Sequence, residues 1–140
     1  MSDVFSRSKR SEVMSRIRGK GNKDTELALI KLFRKDGIAG WRRHQKVFGK
    51  PDFAFREKRL AVFVDGCFWH GCPRCYRRPQ FNRKFWDAKI VRNRKRDREV
   101  SRELRRIGWR VIRIWEHELV SRRDACARRI TNTLLSKKPR

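Results

Sequence analysis

Carboxylates, histidines and long apolar runs are what this chain has least of. Only 15 of its 140 residues are Asp or Glu, against 40 Lys or Arg, and only three are histidine. No apolar run approaches the roughly 20 residues of a membrane-spanning helix, and the N-terminus carries no signal-peptide apolar region. A spanning or secreted protein is therefore not expected; the expectation is a soluble, cytoplasmic and nucleoid-associated one. Glycine/serine linkers and internal repeats are also missing, which suits one domain over residues 1–140, with 1–20 as an N-terminal arm and 120–140 as a basic C-terminal helix and tail. Cysteines number four, three of them between Cys67 and Cys75. A chain of this length buries a core without disulfide staples, so metal ligation explains the thiols better.

The shortage of acid leaves a formal net charge of +25. Such an excess repels itself in a compact state and calls for a polyanionic partner, nucleic acid before an anionic membrane surface.

The order of elements is legible. Asn22 is a fair helix cap with Asp24 and Glu26 in the first turn; Leu27, Ile30 and Phe33 follow, and Gly37 offers a stop. Trp41 to Phe48 and Asp52 to Phe55 alternate partly around Gly49-Lys50-Pro51, and Leu60 to Val64 is an apolar run of strand length. Asn82 to Ile107 carries Trp86, Ile90, Val100 and Leu104 on a helical stripe that Gly108 ends. Trp109 to Trp115 alternates as a further strand, and a basic helix runs from about Arg122 to Leu135. This is an α/β or α+β plan, a small mixed sheet flanked by helices. Asn93 and Asp97 interrupt the apolar stripe of the long helix, and polar groups there need partners. For Asp97 an ion pair with one of many arginines suffices; the Asn93 amide can read a base edge.

The densest chemistry lies in Asp65-Gly66-Cys67-Phe68-Trp69-His70-Gly71-Cys72-Pro73-Arg74-Cys75. Thiols spaced Cys67-x4-Cys72-x2-Cys75 can share a tetrahedral zinc, which would staple the loop and hold Phe68, Trp69 and His70. His117, just beyond the strand ending at Trp115, is the preferred fourth ligand; Cys126 is its rival, although a cysteine within a helix is more often packing. Asp52 follows Pro51 at one strand end, and Asp65 ends the next strand. Two carboxylates there can hold Mg²⁺, which serves phosphodiester hydrolysis. Pro-Asp, strand, Asp is the outline of the PD-(D/E)xK nuclease core without its lysine. A turn for Asp52 and a loop cap for Asp65 are the plainer alternatives. His70, five positions past Asp65, can handle the proton that the missing lysine would otherwise influence.

These residues resemble the very-short-patch repair (Vsr-type) endonucleases, which nick DNA beside T:G mismatches. The resemblance runs from about Arg10 to Leu119. It is carried by Arg10-Ser11 with Met14 and Ile17, Asn22 to Glu26, Pro51-Asp52-Phe53, and Val62 to His70. It continues through Phe85-Trp86 with Lys89-Ile90 and Asn93, Arg96-Asp97, Gly108 to Val111, and Trp115-Glu116.

The resemblance implies a PD-(D/E)xK-like fold, a structural zinc and Mg²⁺-dependent strand scission. It implies Asp52 as principal Mg²⁺ ligand with the Val64 carbonyl as a second, and His70 as general acid/base. Glu26 would act through metal-bound water or on His70. Phe68, Trp69 and Trp86 are similar to the family's aromatic wedge, Met14 to the residue pressing from the opposite groove, and Lys89 and Asn93 to its contacts with the mismatched pair.

Three departures stand out. Asp65 occupies the place of a familiar histidine, so that it either binds a metal or orients His70. Cys72 and His117 exchange the usual histidine and cysteine, keeping three sulfurs and one nitrogen. The chain is also unusually basic, a phosphate-tracking surface more than a set of base readers. Mismatched double-stranded DNA is the expected partner, and an asymmetric lesion favours a monomer. The alternatives are the same nuclease core on another DNA target (a junction, a lesion or foreign DNA) and a zinc-stabilised DNA-binding module without chemistry.

Overall fold

A computed structural model describes residues 25–136. Met14, the Asn22 cap and the 1–20 arm lie outside the described residues.

Helix α1 covers residues 25–35. It buries Glu26, Leu29, Ile30 and Phe33, an i, i+3, i+4, i+7 face. Leu27, expected on that stripe, is 43% exposed; three-residue spacing drifts around a helix of 3.6 residues per turn, and the stripe starts one position earlier. Gly37, at φ 66°, ends the helix. Ile38 N–H then donates to the Phe33 carbonyl at 2.8 Å, closing the turn as a left-handed C-terminal residue allows.

Strands β1 (Arg42–Arg43), β2 (Phe53–Phe55), β3 (Leu60–Asp65) and β4 (Arg110–Trp115) form one sheet in the order β1-β2-β3-β4. The run from Trp41 to Phe48 yields only two strand residues. His44 at φ 50° and the Val47 N–H to Gln45 carbonyl bond at 2.8 Å turn the backbone away from its partner. β1 and β2, and β2 and β3, pair antiparallel, whereas β3 and β4 pair parallel with Asp65 opposite Trp115.

A parallel pair needs a crossover, supplied by the long helix α2 (Arg83–Arg106). β3 is buried along its whole length, as a central strand covered on both faces must be. Leu60, Val62 and Val64 face α1 and α4 (Arg123–Leu135), packing on Phe33, Ile114 and Ile130. Ala61 and Phe63 face Leu104 of α2, with Val100, Trp109 and Val111 around them. A short helix, α3 (Glu116–Ser121), follows β4 directly. The result is a mixed α/β layer structure with a small four-stranded sheet flanked by helices. Among the described residues no helix is long and apolar enough to cross a membrane.

Candidate active site and metal centre

β2 stops pairing with β3 at Phe53 opposite Val62. Beyond that point the Asp52 side chain takes the strand's place: its Oδ2 accepts the Val64 N–H at 2.7 Å. A strand residue sends its N–H and C=O to the same edge, so the Val64 carbonyl leaves β3 beside this carboxylate. Burial pushes the Asp52 pKa up to about 6, against the Val64 hydrogen bond, with the Glu26 and Asp65 charges adding to the rise. Glu26 reaches the same region from the first turn of α1. Its Oε1 is buried with no hydrogen bond among the described residues, while His44 Nε2 lies at 3.3 Å and an Arg43 nitrogen at 3.5 Å. Carboxylate and carbonyl oxygens that lack sufficient donors are the donor set a hard divalent cation takes.

The cysteine loop is wound tightly. Cys72 N–H bonds the Cys67 carbonyl at 2.9 Å, and Gly71 N–H bonds that of Phe68 at 3.2 Å. Gly71 sits at φ 62°, where a Cβ would come within 2.4 Å of Ile90 Cγ2. The parallel register continues past the strands: two residues beyond the Asp65–Trp115 pair stand Cys67 and His117. Glu116 Oε1 accepts the Cys67 N–H at 3.1 Å and ties the two segments together.

His117 Nδ1 lies 3.5 Å from Cys67 Sγ and 3.6 Å from Cys72 Sγ. With Cys75, all four donor atoms fall within 4.8 Å of one another. A tetrahedron with ligands at 2.0–2.3 Å has edges of roughly 3.5–3.8 Å, which these spacings match. Burial, and then the neighbouring Cys72 and Cys75, push the Cys67 thiol up to about 12 despite the His117 backbone. Three sulfurs and an imidazole so placed could hold a metal ion, which would favour the thiolate form. Cys126 is elsewhere, buried in α4 with its thiol against the Glu118 carbonyl at 3.6 Å, and serves packing.

His70 closes the gap between loop and long helix. Its Nδ1 lies 2.5 Å from Asp97 Oδ2 and 3.9 Å from Asp65 Oδ1. Burial opposes charge on the ring, but the Asp97 hydrogen bond and the Asp65 and Asp97 charges outweigh it, raising its pKa above the ordinary imidazole value. Burial likewise raises Asp65, against the pull of His70 and Arg113. Asp97, one of the polar interruptions on α2, therefore belongs to the site, with partners in both His70 and Arg113. Arg113 was not singled out at all. Its signal is a charged residue in the middle of an alternating apolar strand.

The aromatic residues form one cluster. Phe68 and Trp69 stand 5.4 Å apart edge to face, and Trp86 lies 5.3 Å from Phe68 and 5.8 Å from Trp69. Trp86 is 3% exposed and forms the floor, with Phe68 and Trp69 half-buried above it. The indole N–H groups of Trp69 and Trp86 are buried without a hydrogen-bond partner among the described residues. Asn93 donates its amide to the Trp69 carbonyl at 2.7 Å, fixing the loop that carries the rings. Lys89, half-buried, lies one turn before it on α2.

Comparisons with known proteins place the chain in a family. The family model described as DNA mismatch endonuclease Vsr matches residues 2–77. The type II nicking enzyme V.NmeDIP of Neisseria meningitidis serogroup C is 39% identical over 137 residues, covering 96% of this chain and 92% of the relative. V.NmeAIP of Neisseria meningitidis serogroup A, also a type II nicking enzyme, is 38% identical over 85% of each chain. DNA mismatch endonuclease Vsr of Escherichia coli K12 is 35% identical across 96% of this chain and 86% of its own. The chain belongs to the Vsr family of DNA mismatch endonucleases.

Proposed function

We propose that this DNA-nicking endonuclease cuts one strand beside a T:G mismatch with the help of Mg²⁺, as a single PD-(D/E)xK-like domain spanning residues 1–140 and working as an intracellular monomer in very-short-patch repair. The observation that carries the reading is the convergence, around one strand end, of the Asp52–Val64 oxygen edge, the His70–Asp97 pair and the Phe68–Trp69–Trp86 cluster. Asp52 and the Val64 carbonyl would hold the cation. Bound there, Mg²⁺ supplies positive charge against the scissile phosphate and a lowered pKa for water.

The remaining chemistry falls to side chains of this chain. An Asp97 carboxylate on Nδ1 fixes the His70 tautomer and leaves Nε2 to take or give a proton. Glu26, held between Arg43 and His44, keeps a carboxylate oxygen in reserve for a water near Asp52. The Cys67, Cys72, Cys75 and His117 group is a structural zinc site in this reading, clamping the loop whose next residues are the rings.

A T:G wobble differs little from a proper pair in its groove pattern but unstacks more easily. Phe68 and Trp69, with Trp86 behind them, form a wedge that enters such a step at a cost of about a few kcal/mol. Lys89 and Asn93 face the mismatched pair from α2, and Met14 of the arm presses from the other groove.

Nicking of a panel of duplexes with Mg²⁺ tests the proposal. A T:G duplex nicked on one strand well ahead of paired, other mismatched or branched DNA is the expected result. Equal cutting of paired DNA, or preference for a junction, contradicts it.

A further inference from the structure

Arg113 sits where a charged side chain is costly. On β4, Ile112 and Ile114 face the α1/α4 core, so Arg113 faces α2 beside Phe63, in the layer built from Ala61, Phe63, Val111 and Leu104. Its side chain is only 22% exposed. A guanidinium so placed must spend its donors on specific partners.

Its partners include both of the residues whose carboxylates flank His70. Nη1 donates to Asp65 Oδ1 at 3.0 Å and Oδ2 at 3.2 Å. Nη2 donates to the backbone carbonyl of Asp97 at 3.1 Å, and Nε to Ser101 Oγ, one turn later on α2, at 2.8 Å. The guanidinium carbon lies 4.1 Å above the Phe63 ring. One side chain of the sheet thus holds the strand end that carries Asp65 and two successive turns of the helix that carries Asp97.

Two carboxylates compete for one imidazole nitrogen here. Asp97 holds His70 Nδ1 at 2.5 Å, while Asp65 Oδ1 waits at 3.9 Å. Asp65, His70 and Asp97 also lie close enough together to be read as a cation site. Arg113 already supplies the positive charge there, since its Nη1 lies 3.8 Å from Asp97 Oδ1 as well as against Asp65.

We infer that Arg113 is a positioning residue for nicking: by occupying both oxygens of Asp65 and fixing the backbone of Asp97, it assigns His70 Nδ1 to Asp97 alone and keeps Asp65 from the oxygen edge of Asp52. Asp65 is then a partner of the clamp and not a metal ligand. The inference rests on the nuclease reading of the site given above.

Single-turnover nicking of a T:G duplex with Mg²⁺, alongside ¹⁵N chemical shifts of the His70 ring, tests it. Arg113→Ala is expected to lower the maximal rate about 10–100-fold with the half-saturating duplex concentration changed less than threefold, the pattern of a misplaced group. In the parent, neutral His70 donates Nδ1–H to Asp97 alone; in Arg113→Ala the Nδ1–H resonance should move and broaden as that proton is shared between Asp97 and the released Asp65. Adding Asp65→Asn to Arg113→Ala should recover part of the rate, because the competing charge is gone. Should thermal melting show that Arg113→Ala does not fold, Arg113→Lys is read instead. It keeps the charge without the fork and should show the same change in the Nδ1–H resonance. Weakened duplex binding at an unchanged maximal rate would make Arg113 a phosphate contact and overturn the inference. So would an unaltered His70 Nδ1–H resonance. Asp52→Asn separates the two readings: if it still nicks, the site assignment itself is wrong, whereas an inactive Asp52→Asn beside parent-like Arg113 variants removes the clamp alone.

Discussion

A histidine handles protons well only when something decides which of its nitrogens carries one. Asp97 does so for His70, and replacing its carboxylate with an amide leaves the shape while losing the charge. Asp97→Asn is expected to lower single-turnover nicking by about 10²–10⁴-fold, the usual worth of a positioned acid–base group, with duplex affinity nearly unchanged. A rate within a few fold of the parent would remove the pair from the chemistry. Among the rings, Trp69→Ala should erode the affinity ratio between T:G and paired duplex more than the salt-sensitive affinity they share; an unchanged ratio would count against the wedge. At this scale the sequence was most informative where residue types are rare. Three histidines and three close-set cysteines pointed to His70, His117 and the thiols. It was least informative about Arg113, because one useful arginine cannot be distinguished from its many neighbours by type, and only its place in an apolar strand marks it.

Elements hold these residues in place, and the cysteine loop depends most on a single small residue. Gly71→Ala combines a left-handed backbone with a Cβ 2.4 Å from Ile90 Cγ2. It should destabilise the protein by about 2 kcal/mol or more in a denaturant melt. Stability equal to the parent would mean that loop and helix can shift apart. Removing metal with a strong chelator should lower the melting temperature and release tightly held zinc, since folding and ligation are linked in such sites; a sample with no zinc before chelation would refute the Cys₃His assignment. Strong periodicity made α2, α4, β3 and β4 legible to within a residue or two. Helix α3 was missed because nothing breaks the chain after Trp115: its first turn is capped from within by Glu118, whose carboxylate accepts the Trp115 N–H at 2.9 Å, with no Ser, Thr, Asp or Asn to announce it. The Trp41–Phe48 run failed as a strand for the opposite reason, a positive φ at His44 that no residue type there advertises.

Seen whole, the molecule carries a formal charge of +25, and the exposed side of α2 alone presents Arg92, Lys95, Arg96 and Arg98. Paired-duplex affinity should therefore fall steeply with salt, by roughly 10³-fold or more between 50 and 200 mM if six or more phosphates are contacted. A shallow dependence in a binding titration would mean that most of this charge faces away from DNA. What the sequence left out at this scale is registration between distant segments. The parallel pairing of β3 with β4 brings Cys67 to His117, and the return of α2 across the sheet brings Asp97 to His70 and Arg113. Both depend on non-local contacts that periodicity does not encode. The most direct test of the central claim, a hydrolytic centre on the Asp52–Val64 edge, is single-turnover nicking of a T:G duplex by the parent and by Asp52→Asn at saturating Mg²⁺, with duplex affinity measured on the same samples. The account predicts loss of the nick with binding retained; an Asp52→Asn protein that nicks as fast as the parent would contradict it.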